Sequence, residues 1–400
     1  MIVQPKIRGF ICTTAHPVGC ARHVQQQIDY VRQRGRHDGR IKHVLVIGAS
    51  TGYGLSSRVT AAFGYGAATI GVFFEKPAEN NKRTATAGWY NTAAFADQAR
   101  REGLYSKSFN GDAFSSAMRK KVIETIQKDW GEVDLIVYSL AAPRRQHPVT
   151  GEVFRSVLKP LGKEYTNKSI NLTTNELETV TLPAATDEEV RQTVAVMGGE
   201  DWRMWMDDLE RAGVLAEGAR TVAYSYIGPE LTRAVYRNGT IGKAKEHLEA
   251  TARALDEQLR TRHHGRAFIS VNKALVTQSS SAIPFIPLYF ILLTKVMKER
   301  NLEEGCIEQI VRLFKTRLLE EEPIVDEHGF IRMDDYEMSE EVQAVVDDRW
   351  NRLTAENLAQ YADVDGYHKD FLKLFGFGLD GVDYAADVLV DVPIPSCERI

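Results

Sequence analysis

HVLVIGASTGYG, residues 43–54, is the stretch whose reading decides the fold. Its first half, His43 to Ile47, is short, apolar and β-branched, the make-up of a strand buried on both faces. It runs into Gly48-Ala49-Ser50-Thr51-Gly52-Tyr53-Gly54, a G-x-x-x-G-x-G turn, and then into a helical stretch from about Leu55 to Phe63. Glycine lets such a turn close tightly and lets the backbone approach a pyrophosphate with no Cβ in the way. The N-terminus of the following helix offers free N–H groups and a positive dipole end. Glycine spacing alone is a weak signal, because any tight strand-to-helix turn uses it. Context strengthens it: a strand before, a helix after, and an acidic residue, Glu75, ending the next strand.

Outward from this turn the chain alternates. Thr69–Phe74 and Tyr105–Asn110 read as strands, separated by a helix over Trp89–Glu102. A helix over Ser115–Trp130 leads to a fourth strand, Asp134–Leu140. Later come a strand at Thr221–Tyr226, a helix over Gly242–Arg260 and a strand at Ala267–Val271. Alternation of this kind predicts an α/β fold, a Rossmann-like doubly wound parallel sheet. Residues 43–143 and 220–300 read as the dinucleotide-binding core of a single domain. Residues 144–219, including Met197–Asp208, read as an insertion over the ligand-binding edge, and 320–400 as an acidic C-terminal extension.

Composition bounds the function. The 400 residues are 44% hydrophobic and 26% charged, an ordinary globular make-up. The net charge of -4 argues against nucleic acid as a partner. The basic run Arg32 to His43 reads as a solvated loop, with an acidic partner or phosphates as the other reading. Four scattered cysteines exclude a disulfide scaffold. Cys12, His16, Cys20 and His23 fit none of the zinc spacings, so no metal is expected. The N-terminus lacks the apolar core of a signal peptide. The most apolar stretch, Ala282 to Leu293, falls short of the roughly 20 residues that span a bilayer. A cytoplasmic protein is expected, and a monomer, because one chain carries the whole site.

Glu75 also speaks to the cofactor. A carboxylate there accepts both ribose hydroxyls and repels a 2′-phosphate, which favours NADH over NADPH; Lys76 beside it could soften that preference. Asp112 and Ala113 fall where a doubly wound fold meets adenine, and Leu140 and Ala141 beside the cofactor ribose. All four could equally be packing residues.

The glycine spacing resembles that of the short-chain dehydrogenase/reductases, most of which carry Tyr-x-x-x-Lys on one helical face. No tyrosine here has a lysine four positions on. Tyr236 and Lys245 form Tyr-x8-Lys, which a continuous helix would place on opposite faces. Asn238-Gly239 and Gly242 lie between them, so a helix break could let the two converge. Tyr226 ends a predicted strand, on the side where such sheets bind ligands.

With these residues the chain resembles the bacterial trans-2-enoyl-ACP and trans-2-enoyl-CoA reductases of the FabV/TER type. The resemblance covers nearly the whole length: RGFICTTAHPVGC, LVIGASTGYGL, GVFFEKP, GWYN, NGDAF, YSLAAPRR, VAVMGGEDW, Tyr236-x8-Lys245, VTQSSSAIP and EGCIEQ. It implies NADH on Gly48 to Tyr53, Phe74-Glu75, Asp112-Ala113, Leu140-Ala141, Lys245 and Leu275-Val276-Thr277. It implies proton donation by Tyr236 and substrate contact by Tyr226. The implied reaction delivers hydride to the β-carbon of a 2-enoyl thioester while a phenol meets the charge that builds on the thioester oxygen. Lys245 is expected to hold the cofactor ribose and to lower the phenol's pKa. Ile283 to Leu293 becomes a wall for the acyl chain, with Thr277 and its neighbours influencing chain length. Carbonyl reduction and non-catalytic NADH sensing are the rival readings. Neither acyl carrier protein nor CoA is favoured as carrier.

Overall fold

A computed structural model describes residues 1–8, 11–37, 39–80, 82–278, 280 and 285–400. Ala282 and Ile283, at the start of the apolar stretch read above, lie outside the described residues, as do Gly9 and Phe10 of the first family motif. Eight strands form one sheet: β1 (His43–Ile47), β2 (Ala68–Phe73), β3 (Ser106–Asn110), β4 (Val133–Tyr138), β5 (Leu215–Ser225), β6 (Arg266–Val271), β7 (Phe330–Arg332) and β8 (Cys397–Arg399). Their order is β7-β6-β5-β4-β1-β2-β3-β8, and every pairing is parallel. Strand order reverses between β1 and β4, where Ile47 lies opposite Tyr138. That switch point opens the crevice in which such sheets bind ligands.

Both faces are covered, as an all-parallel sheet requires. The helices up to residue 299 are α1 (Pro17–Arg32), α2 (Gly52–Val59), α3 (Ala87–Arg101), α4 (Ser116–Asp129), α5 (Asp187–Met197), α6 (Glu200–Arg211), α7 (Glu230–Arg233), α8 (Thr240–His263) and α9 (Ile286–Glu299), and further helices follow in the C-terminal part. Leu45 and Ile47 point into a core shared with Val122 of α4, Trp205 of α6 and Leu255 of α8. Their neighbours Val44 and Val46 point to the opposite core, against Ile310 and Phe314. Among the described residues no helix is long and apolar enough to cross a membrane.

Two segments differ from the sequence reading. Residues 144–219 do contain two hairpins, Arg144–Gln146 with Val153–Arg155 and Tyr165–Asn171 with Glu176–Leu182. They also contain α6 and the start of β5, so Trp202–Asp208 does not overlie the ligand edge. Trp202, Trp205, Met206 and Leu209 recur at helical spacing, and that face is buried against the sheet. The acidic tail likewise supplies both outer strands, β7 and β8.

Trp202 and Trp205 bury indole N–H groups, which need acceptors. Trp202 Nε1 donates to Thr221 Oγ1 at 2.9 Å and Trp205 Nε1 to the Ala113 carbonyl at 3.2 Å. Thr221 is fully buried and donates its own hydroxyl hydrogen bond to the Ile136 carbonyl. Thr221→Val keeps the shape but strands the Trp202 N–H. We expect a loss of roughly 1–3 kcal/mol, read as a lower urea midpoint with an unchanged denaturant slope.

Candidate active site

The C-terminal ends of the central strands open into a cleft of about 1180 Å³. The glycine turn forms its floor. Gly48 takes φ +90°, and a Cβ there would lie 2.1 Å from the Ser139 carbonyl oxygen. Gly54 packs against the turn itself, since its Cβ would meet the Gly48 carbonyl at 1.9 Å. Thr51, which lines the cleft, caps α2 without a side-chain hydrogen bond, so its hydroxyl does not occupy the first helical N–H groups. Ser50, Gly52 and Tyr53 line it as well. Ala49 does not: its side chain is in the core, and its N–H donates to the Val72 carbonyl. Strand pairing consumes that group before a ligand could.

Glu75 follows β2, which ends one residue earlier than the sequence suggested. Phe74 is 78% exposed at the cleft mouth. Glu75 is not a solvated loop carboxylate. Its Oε1 accepts from Ser50 Oγ at 2.7 Å, and its backbone exchanges two hydrogen bonds with the Asn110 side chain, at 2.8 and 2.9 Å. A Cβ on Gly88 would fall 2.0 Å from that same oxygen, so the glycine makes room for the carboxylate. Burial pushes its pKa up, and the bond from Ser50 opposes this. Asp112, Ala113, Leu140 and Ala141 line the neighbouring wall.

Tyr226, Tyr236 and Lys245 converge on the cleft. The break expected between Tyr236 and Lys245 is present: α7 ends at Arg233, and α8 begins only at Thr240, after Gly239. Gly242 has no space for a Cβ, which would lie 1.8 Å from the Arg237 carbonyl. Tyr226 and Tyr236 meet edge to face with ring centroids 4.9 Å apart. The Tyr226 hydroxyl is 2.9 Å from Glu337 Oε1. Lys245 Nζ reaches the Tyr224 carbonyl at 3.4 Å, and burial pushes its pKa down to about 8. The expected lowering of the Tyr236 phenol by Lys245 is not found. Burial raises that phenol, with no opposing ammonium acting on it.

The loop after β6 closes one side. Leu275 and Thr277 line the cleft, and Thr277 Cγ2 lies 4.0 Å from where a Gly52 Cβ would stand. Val276 instead packs on the apolar layer around α9. Of α9, Ile286 and Phe290 reach the cleft, while the rest of its apolar surface is core. Sequence reasoning missed Asn110, which holds Glu75, and Glu337, which holds Tyr226. The first was within reach in the NGDAF motif; the second stands in an acidic tail with nothing to single it out. His16, one of the cysteine–histidine run, caps α1 by accepting the Gly19 N–H on Nδ1.

Three family models match in succession. The NAD(P)H binding domain of trans-2-enoyl-CoA reductase matches residues 2–80, the trans-2-enoyl-CoA reductase catalytic region matches 83–319, and the enoyl reductase FAD binding domain matches 325–388. The chain belongs to the trans-2-enoyl-CoA reductase family. It is 58% identical over 398 residues to an enoyl-(acyl-carrier-protein) reductase (NADH) of Coxiella burnetii, covering 99% of this chain and 98% of that one. It is 57% identical over 394 residues to a trans-2-enoyl-CoA reductase (NADH) of Ruminiclostridium cellulolyticum, covering 98% and 99%. The crystal structure of Clostridium acetobutulicum trans-2-enoyl-CoA reductase in complex with NADH superposes with a TM-score of 0.94 at 44% identity, covering 98% of each chain. The cleft fits the nicotinamide dinucleotide of these family members: bare glycine backbone at the turn, and a carboxylate set by Ser50 and Asn110 where a ribose would lie. A flavin does not fit the third matched segment. Of residues 325–388 only Phe375 reaches the cleft; Val342, Val346, Trp350, Tyr367 and Phe371 pack into the core around α9, and Phe330, Ile331 and Met333 into the cores on the sheet.

Proposed function

We propose that this chain reduces the trans-2 double bond of an enoyl thioester to the saturated acyl thioester with NADH, using Tyr236 as proton donor, Lys245 to hold the cofactor ribose and Tyr226 against the substrate. The observation that carries the reading is the Tyr226–Tyr236 pair standing with Lys245 in one cleft beside the glycine turn. The cofactor, when bound, supplies the hydride. Saturating the bond at its β-carbon builds negative charge on the thioester oxygen, and that charge needs a hydrogen-bond donor. Tyr226 has one hydroxyl hydrogen, and its hydrogen bond to the Glu337 carboxylate engages it. Among the described residues no hydrogen bond engages the Tyr236 hydroxyl, so its proton is available to the substrate. Burial keeps that phenol protonated through neutral pH. Ile286 and Phe290 give the acyl chain an apolar wall, with Thr277 beside them.

The test is NADH oxidation with crotonyl-CoA, crotonyl-acyl carrier protein and a 3-ketoacyl thioester. Turnover of either enoyl substrate supports the reading, and the ratio of the two shows which carrier is preferred. Turnover of the ketone alone would replace it with carbonyl reduction. We also expect Glu75→Ser to relax cofactor choice. Losing the carboxylate removes both the ribose acceptor and the repulsion of a 2′-phosphate. The NADPH-to-NADH ratio of kcat/KM should rise by about tenfold or more, the scale of one charged hydrogen bond. An unchanged ratio would take Glu75 out of cofactor recognition.

A further inference from the structure

Glu337 is fully buried in a chain segment to which neither the glycine turn nor the tyrosine–lysine pair belongs. Three donors from three elements converge on its carboxylate. Tyr226, just after β5, donates to Oε1 at 2.9 Å; Tyr289, in α9, donates to Oε1 at 2.7 Å; and the Ala274 N–H, at the root of the loop after β6, donates to Oε2 at 2.6 Å. Gln343 seals the arrangement from outside, its amide donating to the Tyr289 hydroxyl and to the Glu337 carbonyl. A carboxylate with no solvent of its own requires such donors. What sets this one apart is where they lead. Tyr226 is the ring on which Tyr236 rests, and Ala274 precedes the loop residues Leu275 and Thr277 that close over the glycine turn.

We infer that Glu337 is a positioning residue of the reaction: its carboxylate fixes Tyr226, and through that ring Tyr236, while the same group anchors the loop beside the dinucleotide. The inference rests on the assignment of Tyr236 and Tyr226 proposed above. Glu337 is fully buried behind the cleft and does not line it. Its ionised form accepts all three donors, and by accepting the Tyr226 hydrogen bond it leaves that hydroxyl only an acceptor lone pair toward the cleft. The buried Lys273 ammonium nearby favours the ionised form, against the burial that raises its pKa. An amide in place of the carboxylate keeps a single acceptor oxygen, which cannot serve the two tyrosines on one side and the Ala274 N–H on the other together. Whichever way the amide turns, Tyr226 exchanges a charge-assisted bond for a weaker one, and its angle to Tyr236 is held less firmly.

The experiment is a double-mutant cycle in the full chain. Glu337→Gln should lower kcat on crotonyl-CoA by about tenfold to a hundredfold, the scale of one charge-assisted hydrogen bond, with a smaller change in the KM for crotonyl-CoA. In a Tyr226→Phe background the same substitution should cost at most about threefold, because its route to Tyr236 is already cut. Tyr289→Phe removes a donor on the core side only and should keep kcat within about twofold. If Glu337→Gln does not fold, Glu337→Asp takes its place in the cycle, retaining the charge but withdrawing it from Tyr226. Multiplicative losses in the double variant, or equal kcat losses in the Glu337 and Tyr289 variants, would overturn the inference and leave Glu337 a purely structural hub. Full activity of Tyr236→Phe would be a different failure, that of the catalytic assignment itself, and is read separately from the cycle.

Discussion

Tyr236→Phe is expected to lower kcat on an enoyl thioester by about 10²- to 10⁴-fold, the usual worth of a positioned proton donor, while leaving NADH binding nearly intact. The substitution removes one oxygen and keeps the ring that packs edge to face on Tyr226, so the fold has no reason to change. Its cost falls on the moment when charge gathers on the thioester oxygen. With the Tyr226 proton committed to Glu337, no second phenol stands ready to take over. Stopped-flow measurement of a single turnover separates this from slow product release. A variant that oxidises NADH at the wild-type rate in that measurement would show that the proton comes from elsewhere. Loss of NADH binding along with turnover would point instead to collapse of the cleft.

Lys245→Met is expected to lower kcat/KM for NADH by about 10- to 100-fold and to flatten its pH profile. Burial lowers the ammonium's pKa to about 8, and Glu249 opposes that shift only in part. Below that value the side chain is a cation able to donate to ribose oxygens. As pH rises through it the proton leaves, and donation to the ribose weakens. In the wild type, kcat/KM for NADH, which reports ionisations of the free enzyme, should therefore decline on the alkaline side of about 8. Methionine fills a similar volume without a charge, so the variant should be low throughout and show no such decline. A variant that keeps the alkaline fall would assign the titration to another group. Tyr236 does not supply it, since burial moves its phenol upward, away from this range.

Much of this was legible in the chain, and the reasons are specific. The strand His43–Ile47 appears with the bounds its composition suggested, because a run of β-branched residues ending in glycine leaves little alternative. The break before α8 was readable from Gly239 and Gly242. The tryptophan face of α6 was misplaced although its helical spacing was present in the sequence; the turn-rich residues before it drew the segment into the insertion over the ligand-binding edge. Glu337 could not be read at all. Its meaning lies in being brought beside Tyr226, Tyr289 and Ala274, residues remote from it in the chain, and nothing local records that meeting. The coupling expected between Lys245 and Tyr236 failed for a related reason. Facing one cleft is a matter of topology, while altering a partner's ionisation needs close approach, and Lys245 spends its reach on the Tyr224 carbonyl.

The outermost strand, β8, pairs Cys397 with Ser108 across most of the chain. Contacts that distant in sequence form late, since their ends must find each other after nearer pairings are made. Until they do, β3 presents an open row of amides and carbonyls to any other strand in solution. β3 ends in Asn110, the residue that sets Glu75. A half-folded molecule is thus most adhesive at the edge from which its ribose carboxylate will be aligned, and crowded refolding endangers the cofactor site before the rest of the sheet.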